Sequence, residues 1–171
     1  VWFLNAKDTN LLSFNQLDQV FQLEGFPSII KFNARVPQHG YQKDKERLGF
    51  SYLIRHTFNH QSYFLKLDKA KEFPFNPKLK LAGDYHQLLN LWATYSSVLY
   101  INMDIVDYDM TGATVGSSTN NQIRLERLQS SWDVAKKTMS LFVMLIFLLQ
   151  IVIYSAYLLT FFLKIKRKSL N

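Results

Sequence analysis

The longest apolar pattern in this chain lies near its C-terminal end. From Thr138 to Leu163 the sequence has 26 consecutive residues without a charge, bounded by Lys137 and Lys164. At about 1.5 Å per residue, a helix of this length extends roughly 39 Å, more than the hydrocarbon core of a bilayer, which is about 30 Å thick. A buried core helix is the alternative, but a chain of 171 residues has little protein with which to cover it on every side. The pattern therefore predicts one transmembrane helix over 138–163.

A second helical pattern runs directly into this segment. Its apolar residues recur at helical spacing and are Leu125, Leu128, Trp132, Ala135 and Met139. They predict an amphipathic juxtamembrane helix over 122–137 that continues into the span, giving one helix from Gln122 to Ile165. Small and polar residues over 112–121 predict a linker in front of this helix, and residues 164–171 form a basic tail.

Residues 1–111 predict a small soluble α+β domain with a short antiparallel sheet and two helices. One helix starts at the capping box of Ser13 and Gln16, and the other starts at Gly83. The strand-like runs lie at 28–36, 50–56, 62–67 and 98–108. The second and third of these runs form a predicted hairpin. Two prolines predict an extended loop over 68–81.

The charge of the chain bears mainly on topology. Lysine and arginine number 20 against 13 acidic residues, for a net charge of +7. Basic residues flank both ends of the predicted span, namely Lys136 and Lys137 before it and Lys164, Lys166, Arg167 and Lys168 after it. The four in the tail face no acid, so the positive-inside rule favours a tail on the cytosolic or matrix side. A tail-anchored protein with its N-terminal domain in the cytosol is the alternative.

Two absences in the sequence narrow the compartment. The chain has no cysteine, which excludes disulfides, cysteine-ligated zinc, iron–sulfur clusters and a thiol nucleophile. It also has no Asn-x-Ser/Thr acceptor, whereas a lumenal or cell-surface eukaryotic domain of this size usually carries sequons or disulfides. A mitochondrial membrane is the favoured location, and a bacterial cytoplasmic membrane is the alternative.

Candidate chemistry in the soluble part is sparse. The chain has no P-loop, dinucleotide-binding, nucleophile-elbow or H-E-x-x-H motif. His56 and His60 flank a predicted turn and have no obvious third ligand. Asp104, Asp107 and Asp109 fit no calcium loop, and we interpret them as a dock for a basic partner. We therefore predict no catalytic activity, no cofactor and no metal.

The predicted span carries one polar face. Phe147, Gln150, Tyr154 and Tyr157 share this face, and a glutamine amide exposed to lipid is costly unless a neighbouring helix satisfies it. The sequence thus predicts a non-catalytic, single-pass accessory or assembly subunit of a larger membrane protein complex. The expected partners are other membrane subunits and phospholipid headgroups, and no nucleic acid. The alternative is a bacterial membrane-anchored sensor or binding module with an extracytoplasmic ligand-recognition domain.

Overall fold

The computed structural model describes residues 9–11, 13–22, 27–35, 60–95, 98–107 and 120–168. The strands of this part of the chain are β1 (Thr9–Asn10), β2 (Ile29–Arg35), β3 (Tyr63–Leu65) and β4 (Val98–Asp107). The helices are α1 (Phe14–Phe21), α2 (Leu67–Glu72), α3 (Gly83–Tyr95), α4 (Asn120–Thr138) and α5 (Leu141–Lys168). A short 3-10 turn covers His60–Ser62. The prediction of a small mixed α+β domain is confirmed.

The four strands form one sheet in the order β1-β4-β2-β3. β3 runs antiparallel to β2, and β1 runs antiparallel to β4. β2 and β4 are parallel, so the prediction of an antiparallel sheet is wrong for the central pair. Parallel neighbours need a long crossover connection, and the chain between β2 and β4, which includes β3 and α3, supplies one.

Local sequence signals account for most of the element boundaries. α1 begins with the expected capping box, in which the Ser13 backbone N–H donates to Gln16 Oε1 at 2.9 Å. The loop predicted over 68–81 is wrong in its first part, because Leu67–Glu72 is helical. This stretch has no proline and consists largely of good helix formers. The predicted strand over 50–56 and His56 lie outside the described residues.

Apolar side chains cover both faces of the sheet. Ile30, Phe32 and Phe64 belong to one cluster, in which the Phe32 and Phe64 rings meet edge to face at 5.4 Å. The opposite face belongs to a larger cluster that includes Ile29, Leu65 and the apolar side of α3. α4 and α5 add a further layer, because their buried side chains join the same cluster. These added residues are Val134, Ala135, Val143 and Ile146.

α4 and α5 form a helical hairpin, and this corrects the prediction of one continuous helix from Gln122 to Ile165. The helix ends at Thr138, and Met139 adopts a left-handed φ of 53°. α5 then starts after Ser140, whose Oγ accepts a hydrogen bond from the Val143 backbone N–H at 3.4 Å. Folding back buries Val134 and Ala135 of α4 with Val143 and Ile146 of α5 in one cluster. Three residues of the apolar stripe predicted for the first helix stay exposed, namely Leu125 at 66%, Trp132 at 40% and Met139 at 84%.

Among the described residues, no helix is both long enough and apolar enough to cross a membrane. The span predicted over 138–163 is not confirmed.

Candidate functional site

The contact between α5 and the rest of the domain contains the face that the sequence marks as polar. Four side chains point inward from α5, and none of them is more than 9% exposed. They are Val143, Ile146, Gln150 and Tyr154. The ring of Trp132 on α4 lies 5.2 Å from that of Phe147, and the ring of Trp92 on α3 lies 4.4 Å from that of Phe142. α5 therefore packs between two helices of its own chain.

Gln150 lies at the centre of this contact and is fully buried. The Ser131 hydroxyl donates to Gln150 Oε1 at 2.8 Å, and Gln150 Nε2 donates to the Tyr85 hydroxyl at 2.9 Å. The two hydroxyls lie 3.2 Å apart, which lets the Tyr85 O–H donate to Ser131 Oγ. The three side chains form a closed ring of hydrogen bonds. The ring joins α3, α4 and α5 inside the buried layer between these helices.

Two arginines of α4 lie on aromatic rings of the neighbouring helices. The Arg127 guanidinium lies 4.8 Å from the centre of the Tyr85 ring. The Arg124 guanidinium lies 4.4 Å from the centre of the Tyr157 ring and 5.9 Å from that of Tyr154. Such cation–π contacts stabilise by about 0.5–2 kcal/mol, depending on desolvation. Burial raises the pKa of Tyr85, so its phenol stays neutral and keeps its donor.

Glu126 of α4 binds the start of α3. One carboxylate oxygen accepts from the backbone N–H of Leu81 at 2.7 Å and from that of Ala82 at 2.9 Å, while Gln122 Nε2 donates to the other at 2.8 Å. Desolvation alone would raise the pKa of Glu126, but these donors lower it below its ordinary value. A carboxylate at a helix N-terminus is favourable because it satisfies free N–H groups and opposes the helix dipole. Glu126 therefore holds α4 against α3.

The outer face of α5 has the opposite character. Five aliphatic side chains line it at helical spacing, and their exposure ranges from 47% to 87%. They are Leu141, Leu145, Leu148, Val152 and Leu159. Tyr157 is also exposed, at 53%, so of the four residues predicted to contact membrane helices it is the one on the rim. The structure brings the other three against α3 and α4 of the same chain.

The acidic residues proposed as a dock do not form one group in the described part of the chain. Asp107 makes a two-pronged ion pair with Arg35, with N–O distances of 2.5 and 2.6 Å. Asp104 is half-buried in β4 opposite Asn33, and Asp109 lies outside the described residues. His60 lies 3.4 Å from Asp84. Among the described residues, no three His, Cys, Asp or Glu side chains are grouped so that they could hold a metal ion.

The basic residues that flank the predicted span differ in their surroundings. Lys136 lies 3.3 Å from Asp133, and its ammonium is 5.2 Å from the centre of the Trp132 ring. Lys137 lies 4.7 Å from the centre of the Phe73 ring. The four cations of the tail are Lys164, Lys166, Arg167 and Lys168. All four lie on the last turns of α5, and the structure does not describe their side chains.

Sequence reasoning missed two polar contacts that the tertiary structure creates. One is the Glu126 contact with α3. The other is Lys31, which is fully buried in β2 and donates to Ser62 Oγ at 2.8 Å and to the carbonyl of Phe32. The signal for Lys31 was its position between the apolar residues Ile30 and Phe32. A charge there needs a partner, but nothing in the sequence names Ser62.

No protein-family model matches this chain, and neither does any curated protein or any solved structure. A functional assignment therefore depends on the residues of the chain itself.

Proposed function

We propose that this chain is a non-catalytic accessory subunit of a larger membrane protein complex and that α5 attaches it there. The observation that carries the proposal is the two-sided character of α5. Its inner side, centred on Gln150, completes the core of the domain, while its outer side is apolar and exposed. Soluble monomers seldom expose a continuous apolar patch, and such patches usually mark a surface that binds protein or membrane.

The polar contacts of the described residues support a scaffolding role. The ring of Tyr85, Ser131 and Gln150 joins three helices, and the Glu126 carboxylate joins α4 to α3. All of these hydrogen bonds are made with other residues of the same chain. A domain held together in this way presents α5 on a fixed support, which suits a subunit whose role is contact with others.

The single-span topology predicted from the sequence is one form of this attachment. It is supported by the lack of any charge from Thr138 to Leu163. It requires α5 to separate from α3 and α4, because α4 carries charged residues along its length. Taking one charged side chain to the centre of a bilayer costs at least about 2.5–3.5 kcal/mol. Attachment through α5 does not require α5 to span the bilayer.

A mitochondrial membrane is the location that we propose. The absence of cysteine and of glycosylation acceptors disfavours the secretory pathway, and a basic chain with pI near 9.5 is compatible with a mitochondrial subunit. Fractionation of cells that express the tagged chain tests this location directly, because the tag shows which membrane fraction contains the chain.

The attachment is tested by the size of the native assembly. Membranes are solubilised in a mild detergent, and the chain is followed on a native gel and by size exclusion. We expect it to migrate with a complex far larger than its own 20.1 kDa. Leu148→Glu should reduce its recovery in that complex, whereas Leu67→Glu, at an equally exposed leucine of α2, should not. Migration of the wild-type chain as a free monomer from the soluble fraction would contradict the proposal.

A further inference from the structure

We infer that the outer face of α5 binds an anionic lipid bilayer, with the α4–α5 hairpin lying along the membrane surface. This inference rests on the proposed attachment through α5, and it identifies the lipid surface as what α5 contacts. The outer face comprises Leu141, Leu145, Leu148, Val152 and Leu159, all exposed. From the first to the last of these residues, the face is about 27 Å long at about 1.5 Å per residue.

The residues beside this face favour lipid over a second helix in water. The spacing of the exposed residues resembles the seam of a coiled coil, whose flanking positions usually carry charges that pair across the interface. Here the exposed flanking positions include Ile151 and Ala156, neither of which is charged, and the face itself is apolar except for Ser155. A mainly apolar face with uncharged flanks has no means of selecting a partner helix by charge, but it suits hydrocarbon.

The charges at the two ends of the face complement an acidic membrane surface. Lys137 lies at the hairpin turn beside the Lys136–Asp133 ion pair, and the last turns of α5 carry four more cations. Residues 141–168 contain no acid. Each lysine or arginine near an anionic surface adds about 1 kcal/mol of attraction. Trp132 flanks the face at 40% exposure, and tryptophan favours the depth of the headgroups.

The packing of α5 sets its orientation on the membrane. Its inner side is covered by α3 and α4, and the Arg124 and Arg127 guanidinium groups lie against aromatic rings in that contact. A helix held on this support can bury one side to the depth of the acyl boundary, as interfacial helices do. It cannot cross the bilayer without taking the charges of α4 with it.

The test uses the full chain and two kinds of vesicle, one of phosphatidylcholine and one of equal parts phosphatidylcholine and phosphatidylglycerol. We expect co-flotation with the anionic vesicles at least about tenfold stronger than with the neutral ones, weakening as salt is raised. Leu148→Glu should lower binding to anionic vesicles by about tenfold or more. Leu67→Glu, at a leucine that is 54% exposed on α2, should leave it unchanged.

Thiol labelling supplies a readout that does not depend on affinity. Because the chain has no cysteine, Leu148→Cys and Leu67→Cys each introduce a unique thiol. Anionic vesicles should protect the thiol at position 148 from a water-soluble maleimide and leave the thiol at position 67 reactive. Equal protection at both positions, equal binding to both vesicles or unchanged binding of Leu148→Glu would overturn the inference.

The inference and the proposed function can fail separately. If the wild-type chain migrates in a large membrane complex but does not bind anionic vesicles, the lipid inference is wrong and the accessory role stands. If it binds the vesicles but migrates alone from native membranes, the accessory role is wrong and the lipid inference stands. Resistance to alkaline carbonate together with protease protection of the tail would show a spanning helix and overturn the surface orientation.

Discussion

Replacement of Gln150 by leucine tests whether its ring of hydrogen bonds holds α5 to the domain. The change keeps a side chain of similar size and removes two hydrogen bonds, one with Ser131 at 2.8 Å and one with Tyr85 at 2.9 Å. A buried hydrogen bond between neutral groups contributes about 1 kcal/mol net. The two hydroxyls remain 3.2 Å apart and can still bond to each other, so neither loses every partner. We expect Gln150→Leu to lower the free energy of unfolding by about 2 kcal/mol.

The measurement is urea unfolding of the full chain in a mild non-ionic detergent, followed by circular dichroism. With a slope of about 2 kcal/mol per molar urea, the midpoint should fall by about 1 M at unchanged slope. Gln129→Leu is the matched control, because this glutamine is on the exposed side of α4, and its effect should stay within about 0.5 kcal/mol.

A double-mutant cycle separates the hydrogen bonds from the change in packing. Ser131→Ala alone removes the hydrogen bond that the Ser131 hydroxyl donates to Gln150 Oε1, whereas Ser131→Ala in the Gln150→Leu background removes no bond between these two residues. The two effects should therefore fall short of additivity by about 0.5–3 kcal/mol. Additive effects, or an effect of Gln150→Leu no larger than that of Gln129→Leu, would refute the role given to the ring.

Three further predictions concern other contacts. Glu126→Gln should lower stability by about 1–2 kcal/mol at neutral pH. Because the folded pKa of Glu126 is depressed, this difference should be fully present above its ordinary pKa of 4.5 and disappear as pH falls through the folded value, as urea unfolding across acidic pH would show. Met139→Gly should stabilise the hairpin by up to about 1 kcal/mol because it relieves the left-handed backbone, and a lower melting temperature would contradict this. Asp107→Asn should cost up to about 1 kcal/mol through loss of the ion pair with Arg35, and high salt should shrink the difference; an equal loss at all ionic strengths would exclude this cause.

Local sequence patterns were sufficient for elements whose signals lie within a few residues. The Ser13 and Gln16 capping box predicted the start of α1, and the predicted start of the second helix at Gly83 is the start of α3. Strand pairing was beyond these patterns. The parallel contact of β2 with β4 depends on residues about 70 positions apart, with a register that shifts between Lys31 and Ala34. Nothing in the alternation of a single strand specifies its neighbour or its direction.

The sequence by itself determined that residues 138–163 form an uncharged helical stretch with one polar face and that Gln150 on this face needs a hydrogen-bonding partner. These properties follow from composition and helical spacing alone. Only the tertiary structure decided that Ser131 and Tyr85 of the same chain satisfy this amide, because the chain turns back at Met139 and brings α4 and α3 against α5. A helical periodicity continues across such a turn without interruption. The choice between a straight rod and a hairpin depends on the apolar area that the helices bury against each other, and that area exists only in the folded chain.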